Sequence, residues 1–216
     1  MKTTRVTIPT EWSAVTIKNY TEYLRLHSGE YDVINRITNT VSVIGGISIE
    51  DAKDISIDSL KQFYAAIDWM KNAYTGKDIS SLVNKKGNIE IVINGKAYTC
   101  EPNVSQWTAG QYADIKTVLA DTEGYIYNTD KILACVLYPK GEKYGKTSNV
   151  DKEQDIYNYM NMDTAFTLSV FFYQIYSNLI MDMLHSLNET VQEQTRDLLE
   201  QISMSHTSIT GGGLLV

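Results

Sequence analysis

The residues best suited to catalysis in this sequence are two cysteines, Cys100 and Cys135, and three histidines, His27, His185 and His206. Thiolates and imidazoles serve as nucleophiles, bases and metal ligands. None of the five stands at zinc-site spacing from another. We therefore predict no catalytic residue, no metal site and no cofactor, and we expect both cysteines to be buried and reduced. One enzymatic alternative stays open, because a thiol can meet His185 in space without a local motif.

Glycine-rich and charged segments give weak signals for other chemistry. Gly45-Gly46 and Gly211–Gly213 lack the Lys-Ser/Thr of a phosphate-binding loop, and a helix end and a tail explain them better. The basic loop Lys140–Lys146 leaves phosphate binding as a minor alternative to a solvated loop. The acidic pairs and runs Glu50-Asp51 and Asp151–Asp155 stand at predicted helix starts, where negative charge complements the helix dipole. Acid–base catalysis is not needed to explain them.

Composition and charge point toward protein partners. The chain has 216 residues, 43% of them hydrophobic, and a net charge of −7. This length suits one domain with a sizeable core. The negative charge argues against a nucleic-acid-binding surface, which needs clustered lysines and arginines. Fifteen tyrosines against four phenylalanines favour half-buried surfaces and interfaces, because tyrosine joins an apolar ring to a polar tip.

Helical periodicity dominates the chain, and capping residues mark several helix starts. Thr16 is the predicted N-cap of the first helix, Ser48 of a short one, and Thr108 of a later one. A helix over 30–43 is predicted to end at Gly45-Gly46 and to turn five residues inward, namely Val33, Ile34, Ile37, Val41 and Ile44. Further helices are predicted over 57–74, 108–120, 129–138, 151–159 and 163–187.

One segment changes to the two-residue period of strands. The runs Ile89–Ile93 and Lys96–Cys100 flank Asn94-Gly95, and both turn residues adopt positive φ readily. The pattern predicts a β-hairpin over 89–100 that packs on the helices, because a hairpin alone is marginally stable. The predicted fold class is mainly α (α+β): a helical domain with one central β-hairpin and a long C-terminal helix.

The C-terminal part divides by composition. The apolar stretch 163–187 has the length of a membrane span, but Gln174, Asn178 and Asp182 interrupt it. A core helix is therefore favoured, and no membrane span is expected. The predicted organisation is a mostly helical globular domain over 1–187, an amphipathic helical extension over 188–204 and a Gly-rich tail over 205–216.

Several short sequence motifs follow one another in a recognisable order. They are Ile8-Pro9-x-x-Trp12-x-x-Val15-Thr16, Ile37–Ser48, the hairpin, Trp107–Asp114, Lys131–Pro139 and a late Phe171-Phe172-Tyr173. This order resembles small structural and assembly proteins of tailed bacteriophages that infect Bacteroides, including crAss-like phages, over about residues 6–185. The resemblance implies a virion-morphogenesis protein and carries over no active-site residues. The acidic helix after Asn188 and the glycine tail depart from the pattern.

From this resemblance we expect a non-enzymatic virion protein, a minor structural or cargo component near the portal or neck. It would act through protein–protein contacts with portal, neck or tail components, in several copies per particle. The alternative is a tail assembly chaperone that is absent from the mature virion and works in the host cytoplasm. Exposed aromatics and short apolar tails dock on neighbours, so the predicted contact residues are Trp12, Trp107, Leu214, Leu215 and Val216. Packing of Trp12 against the first helix is the alternative for that residue.

Overall fold

The computed structural model describes residues 5–72, 74, 77–85, 87–103, 106–120 and 125–172. These ranges contain eight α-helices and one three-stranded antiparallel sheet, which confirms a mainly α fold with a small β part. The helices are α1 (Ile17–Ser28), α2 (Val33–Gly45), α3 (Ile49–Lys53), α4 (Ile57–Ala66), α5 (Ala109–Leu119), α6 (Thr129–Val136), α7 (Asn149–Tyr159) and α8 (described over 162–172). The strands are β1 (Ile89–Ile93), β2 (Lys96–Cys100) and β3 (Tyr138–Pro139).

Side chains cap the helices where the sequence predicts. The hydroxyl oxygens of Thr16 and Ser48 accept hydrogen bonds from backbone N–H groups in the first turns of α1 and α3. Thr108 and Gln111 form a full capping box at the start of α5. Gly46 ends α2 in the left-handed region, at φ 66°. These boundaries depend on neighbouring residues alone, and each is confirmed.

The predicted hairpin over 89–100 is confirmed in bounds and turn. Asn94 and Gly95 have φ values of 49° and 74°, and Ile93 pairs with Lys96 next to the turn. Side chains alternate along β1, so Ile89, Ile91 and Ile93 are buried while Glu90 and Val92 face outward.

Two predicted helices end early. α4 stops at Ala66, and Asp68–Lys71 continue as a tighter 3-10 helix instead of an α-helix to 74. α6 stops at Val136 because Leu137 is extended, and Tyr138–Pro139 then pair with β2 as β3. Proline disfavours helical backbone in the residue before it, which explains this change of direction. The hairpin thereby becomes a three-stranded sheet.

α2 also departs from its prediction at its start. It begins at Val33, because the Asp32 side chain accepts hydrogen bonds from two backbone N–H groups of the first turn. The inward prediction is wrong for Val33 and Ile34, which are 67% and 45% exposed. Periodicity shows which face of a helix is apolar. It does not show at which residue that face begins to pack on neighbouring elements. Burial is confirmed for the three predicted residues further along, Ile37, Val41 and Ile44.

The segment before α1 pairs with the segment before α8. The Ile17 N–H donates to the Met160 carbonyl at 3.0 Å, and the Met162 N–H donates to the Val15 carbonyl at 2.7 Å. α8 agrees with the predicted helix as far as 172, whereas its continuation to 187, the extension and the tail lie outside the described residues. No helix in the described part of the chain is long and apolar enough to cross a membrane.

Candidate functional site

Trp12 lies at the centre of an aromatic cluster. Its half-buried ring meets four others edge-on, with centroid distances of 5.0 to 6.1 Å, namely Trp69, Tyr20, Phe166 and Tyr74. Edge-to-face ring pairs are favourable beyond the area that they bury. The ring therefore joins the N-terminal segment to α1, to the 3-10 helix at 68–71 and to α8. The structure places Trp12 in a packing role inside the chain.

Polar contacts hold the same cluster in place. The Trp69 indole N–H donates to the Pro9 carbonyl at 3.2 Å, and the Tyr74 hydroxyl donates to the Asp163 carboxylate at 2.6 Å. Lys77 forms an ion pair with the same carboxylate. Burial alone would raise the pKa of Asp163, but the hydrogen bonds from Lys77 and Tyr74 outweigh it and lower that pKa below its usual range.

Trp107 contacts the opposite end of the described part of α8. Its indole N–H donates to the Glu101 carbonyl at 2.9 Å, and its ring lies 5.8 Å from that of Phe172. The side chain is half-buried. The structure thus brings the two predicted tryptophans to different places on α8, while Leu214, Leu215 and Val216 lie outside the described residues.

The two thiols lie in the core. Cys100 and Cys135 are free and only 3% and 2% exposed, and burial raises the pKa of each thiol to about 12. A nucleophilic cysteine needs the opposite, a lowered pKa beside a cation or a helix start. His185 lies outside the described residues, so the proposed thiol–histidine pair has no described geometry. Among the described residues, no group of three or more His, Cys, Asp or Glu is placed to hold a metal.

Side chains of the loop that follows β3 contact β1, α5 and α7. Lys140 forms an ion pair with Glu90 on the outer face of β1, at 3.0 Å. Tyr144 donates to the Asp114 carboxylate, and the Lys152 ammonium lies 4.9 Å above the Tyr144 ring. Lys152 is fully buried and donates to a backbone carbonyl, and burial lowers its pKa. These contacts give the loop a structural role.

An open cleft of about 590 Å³ lies over α7, between α1 and α6. α7 supplies most of the lining, because residues three or four apart share one face of a helix. The lining residues from α7 are Val150, Glu153, Gln154, Tyr157 and Asn158. We take this cleft as the candidate site, since concave surfaces of this size with converging polar groups are the usual binding sites.

Two carboxyl groups line the cleft. Asp130, in the first turn of α6, is 8% exposed, and Glu153 reaches the same space from α7. Burial raises the pKa of Asp130; burial and the charge of Asp130 together raise the pKa of Glu153. The ion pairs of the described residues include neither carboxyl. The cleft is thus lined by two carboxyls, Asp130 and Glu153, together with two cations, Arg25 and Lys131.

The cations that line the cleft have other contacts. The Arg25 guanidinium pairs with Glu22 at 2.8 Å, and the Tyr157 hydroxyl donates to the same Glu22 oxygen at 3.2 Å. The Lys131 ammonium donates to the Asn128 side-chain oxygen at 2.8 Å. Both cations still lower the pKa of Asp130 through space, but burial outweighs them.

The acidic residues of α7, predicted together at a helix start, lie in three different environments. Asp151 is exposed in the first turn, as the dipole argument predicts. Glu153 lines the cleft, whereas Asp155 accepts from Lys96 at 2.6 Å and from Tyr98 at 3.0 Å on the hairpin. The four-residue spacing of Glu153 and Tyr157 is the sequence signal that could have placed both on the face of α7 that lines the cleft. No sequence signal indicated the burial of Asp130.

The start of α2 carries a second surface feature. Tyr31, just before the N-cap, and Val33 and Ile34, in the first turn of α2, are 46%, 67% and 45% exposed. We call these three residues the apolar patch. Adjacent exposed apolar side chains of this kind are typical of surfaces that bind another protein.

No protein-family model, curated protein or solved structure matches this chain.

Proposed function

We propose that this chain is a non-enzymatic protein of tailed-bacteriophage virions, a minor structural or cargo component near the portal or neck. It acts through protein–protein contacts with portal, neck or tail components. The observation that carries the proposal is the apolar patch, because three exposed apolar residues at one helix start suit a protein contact better than solvent. The order of sequence motifs, which resembles that of tailed-phage proteins, supports a role in a bacteriophage.

The use of the charged side chains supports a binding role over a catalytic one. Asp155 and Asp163 each bind side chains from a distant segment, and Asp114 binds Tyr144 and Asn149. These carboxylates hold elements together within the described chain. Both thiols are buried with raised pKa values, so neither is prepared for nucleophilic attack.

The net charge of −7 supports partners that are proteins, because binding to phosphates requires clustered cations. Several copies per particle are expected, since portal and neck assemblies are symmetric. The place of action is the virion, with the host cytoplasm as the place of assembly.

Quantitative mass spectrometry of purified virions of the encoding phage tests the proposal. We expect this chain at a fixed copy number per particle, calibrated against a capsid protein in the same sample. Infected-cell lysate is the matched control for expression. Absence from virions together with abundance in the lysate would contradict the proposal. That result would favour the alternative, a tail assembly chaperone that leaves before maturation.

A further inference from the structure

The turn of the hairpin carries the only asparagine in this sequence that precedes a glycine, Asn94 before Gly95. Both residues are exposed, and a Cβ added at Gly95 would meet no atom within 4 Å. The side-chain amide carbon of an asparagine and the backbone nitrogen of the next residue are close enough along the chain to close a five-membered ring. Glycine leaves that nitrogen uncovered, because it has no side chain. The turn therefore holds an electrophile and a nucleophile side by side in open solvent.

The Asn94 side-chain amide faces a carboxylate on α7. Its Nδ2 donates to the Asp155 carboxylate at 3.4 Å, which is longer than an ordinary hydrogen bond, so the amide is weakly held. Lys96 and Tyr98 donate to the same carboxylate at 2.6 and 3.0 Å. The hydrogen bond from Lys96, helped by those from Tyr98 and Asn94, outweighs burial and lowers the pKa of Asp155. The carboxylate that faces Asn94 is therefore ionised at neutral pH.

We propose that Asn94 is a site of spontaneous deamidation. The backbone nitrogen of Gly95 attacks the side-chain amide carbon of Asn94, and the new bond closes a succinimide ring. The bond from that carbon to Nδ2 breaks, and Nδ2 leaves as ammonia with the proton that the attacking nitrogen gives up. Water then opens the ring at one of its two carbonyl groups and leaves aspartate or isoaspartate at position 94. The net reaction consumes one water and releases one ammonia.

The product changes the contact between the hairpin and α7. A carboxylate at position 94 replaces an N–H donor with an acceptor and places a second negative charge beside Asp155. Lys96, which pairs with Asp155, is then shared by two carboxylates that repel each other. Aspartate before glycine keeps the two-residue turn. Isoaspartate adds a carbon to the backbone and disturbs the pairing of Ile93 with Lys96.

Ageing of the full chain at pH 6 and pH 8 tests the site. Trypsin releases residues 87–96 as one peptide, which also contains Asn88. Asn88 is the internal control, because it is exposed but precedes isoleucine, whose branched side chain crowds the next nitrogen. Tandem mass spectrometry should locate the mass gain of deamidation at Asn94 and not at Asn88. The gain should be faster at pH 8, because the attacking nitrogen must lose its proton. Unaged protein, digested in the same way, corrects for deamidation during digestion.

Two variants with the same change of charge test the effect on the contact. Asn94→Asp introduces the aspartate product directly, and Asn88→Asp introduces it at the exposed position before β1. We expect Asn94→Asp to unfold at a lower urea concentration than Asn88→Asp at neutral pH. The difference should shrink at high salt, because salt screens the repulsion. The loss caused by Asn94→Asp should also shrink when Asp155→Asn is already present, because no like charge then faces position 94.

Three results would overturn the proposal. The first is an equal mass gain at Asn94 and Asn88. The second is a gain at Asn94 in urea-unfolded protein but none in folded protein, because the closed turn would then protect the amide. The third is an equal urea midpoint for Asn94→Asp and Asn88→Asp, which would leave the contact with α7 unaffected. This inference does not rest on the proposed function, which fails separately by absence of the chain from virions.

Discussion

The two cysteines illustrate how burial sets chemistry at the scale of single residues. A thiol in the core cannot ionise without placing charge in a medium of low polarity, which is why the pKa of Cys100 and Cys135 rises from 9.0 to about 12. Free cysteine is among the most frequently buried residues, and this tendency was enough to predict that both are buried. The same burial makes the stability of the fold depend on pH.

We expect the free energy of unfolding to fall as the pH rises above 9. In the unfolded chain each thiol ionises near pH 9, whereas in the folded chain it stays protonated to about pH 12. The stability that these groups contribute is fully present below pH 9 and is lost as the pH rises toward 12, by about 3 kcal/mol for the pair at pH 10. Urea denaturation at pH 8, 9 and 10 measures this loss.

The double variant Cys100→Ala/Cys135→Ala is the control for that experiment. Its stability should be lower at pH 8 because of the lost packing, but its slope between pH 8 and 10 should be flatter. Buried tyrosines with raised pKa values, such as Tyr23, act at higher pH because their unfolded pKa is 10.0. Parallel slopes for the two proteins would contradict the burial of the thiols.

At the scale of elements, the turn of the hairpin depends on a backbone conformation that glycine favours. Gly95 has a φ of 74°, and a side chain there strains the backbone. Gly95→Ala should destabilise the fold by about 1 kcal/mol. Gly110, in the first turn of α5, is the matched control, because a Cβ there meets neighbours at ordinary distances of 3.7 and 3.9 Å.

Gly110→Ala should therefore stabilise the fold by roughly 0.5–1 kcal/mol, since alanine is the better helix former. Thermal unfolding of the two variants side by side measures the difference. Both sites have room for a Cβ, and only Gly95 has a positive φ. An equal loss of stability in Gly110→Ala and Gly95→Ala would therefore contradict this account.

The elements that sequence predicted well are those that local chemistry specifies. The cap residue Thr16, the capping box at Thr108 and the Asn94-Gly95 turn each act within a few positions along the chain. The end of α6 and the third strand depend instead on pairing between Tyr138 and Thr99. No local pattern encodes such a pairing, so a single helix was predicted where the chain changes direction.

At the scale of the whole molecule, the contacts that hold the fold together join distant parts of the sequence. Trp12 meets Phe166, and Asp163 binds Tyr74, so the N-terminal segment and α8 stabilise each other. The candidate cleft arises in the same way, because Asp130 and Glu153 come from different helices. Sequence periodicity identified the helices but not which faces meet, so two alternatives stayed open for Trp12, a partner contact or packing against the first helix, and the cleft was missed.

A last prediction separates folding from partner binding. Trp12→Ala removes the central ring of the aromatic cluster and should destabilise the fold by about 2 kcal/mol, less than for a fully buried tryptophan because the ring is half-buried. Ile34→Glu changes an exposed residue in the first turn of α2, where negative charge favours the helix. Its urea midpoint should therefore equal that of the unaltered chain or exceed it slightly.

If the apolar patch is a contact surface, the same Ile34→Glu variant should enter virions several-fold less than the unaltered chain, although it folds as well. Copy number per particle, measured by mass spectrometry after complementation of a deletion phage, gives the comparison. Val92→Glu, which changes an exposed residue on the outer face of β1 away from the patch, is the matched control and should be incorporated normally. Equal incorporation of Ile34→Glu and Val92→Glu would remove the apolar patch from the contact surface, because introduced charge in an apolar contact costs binding whichever partner covers it.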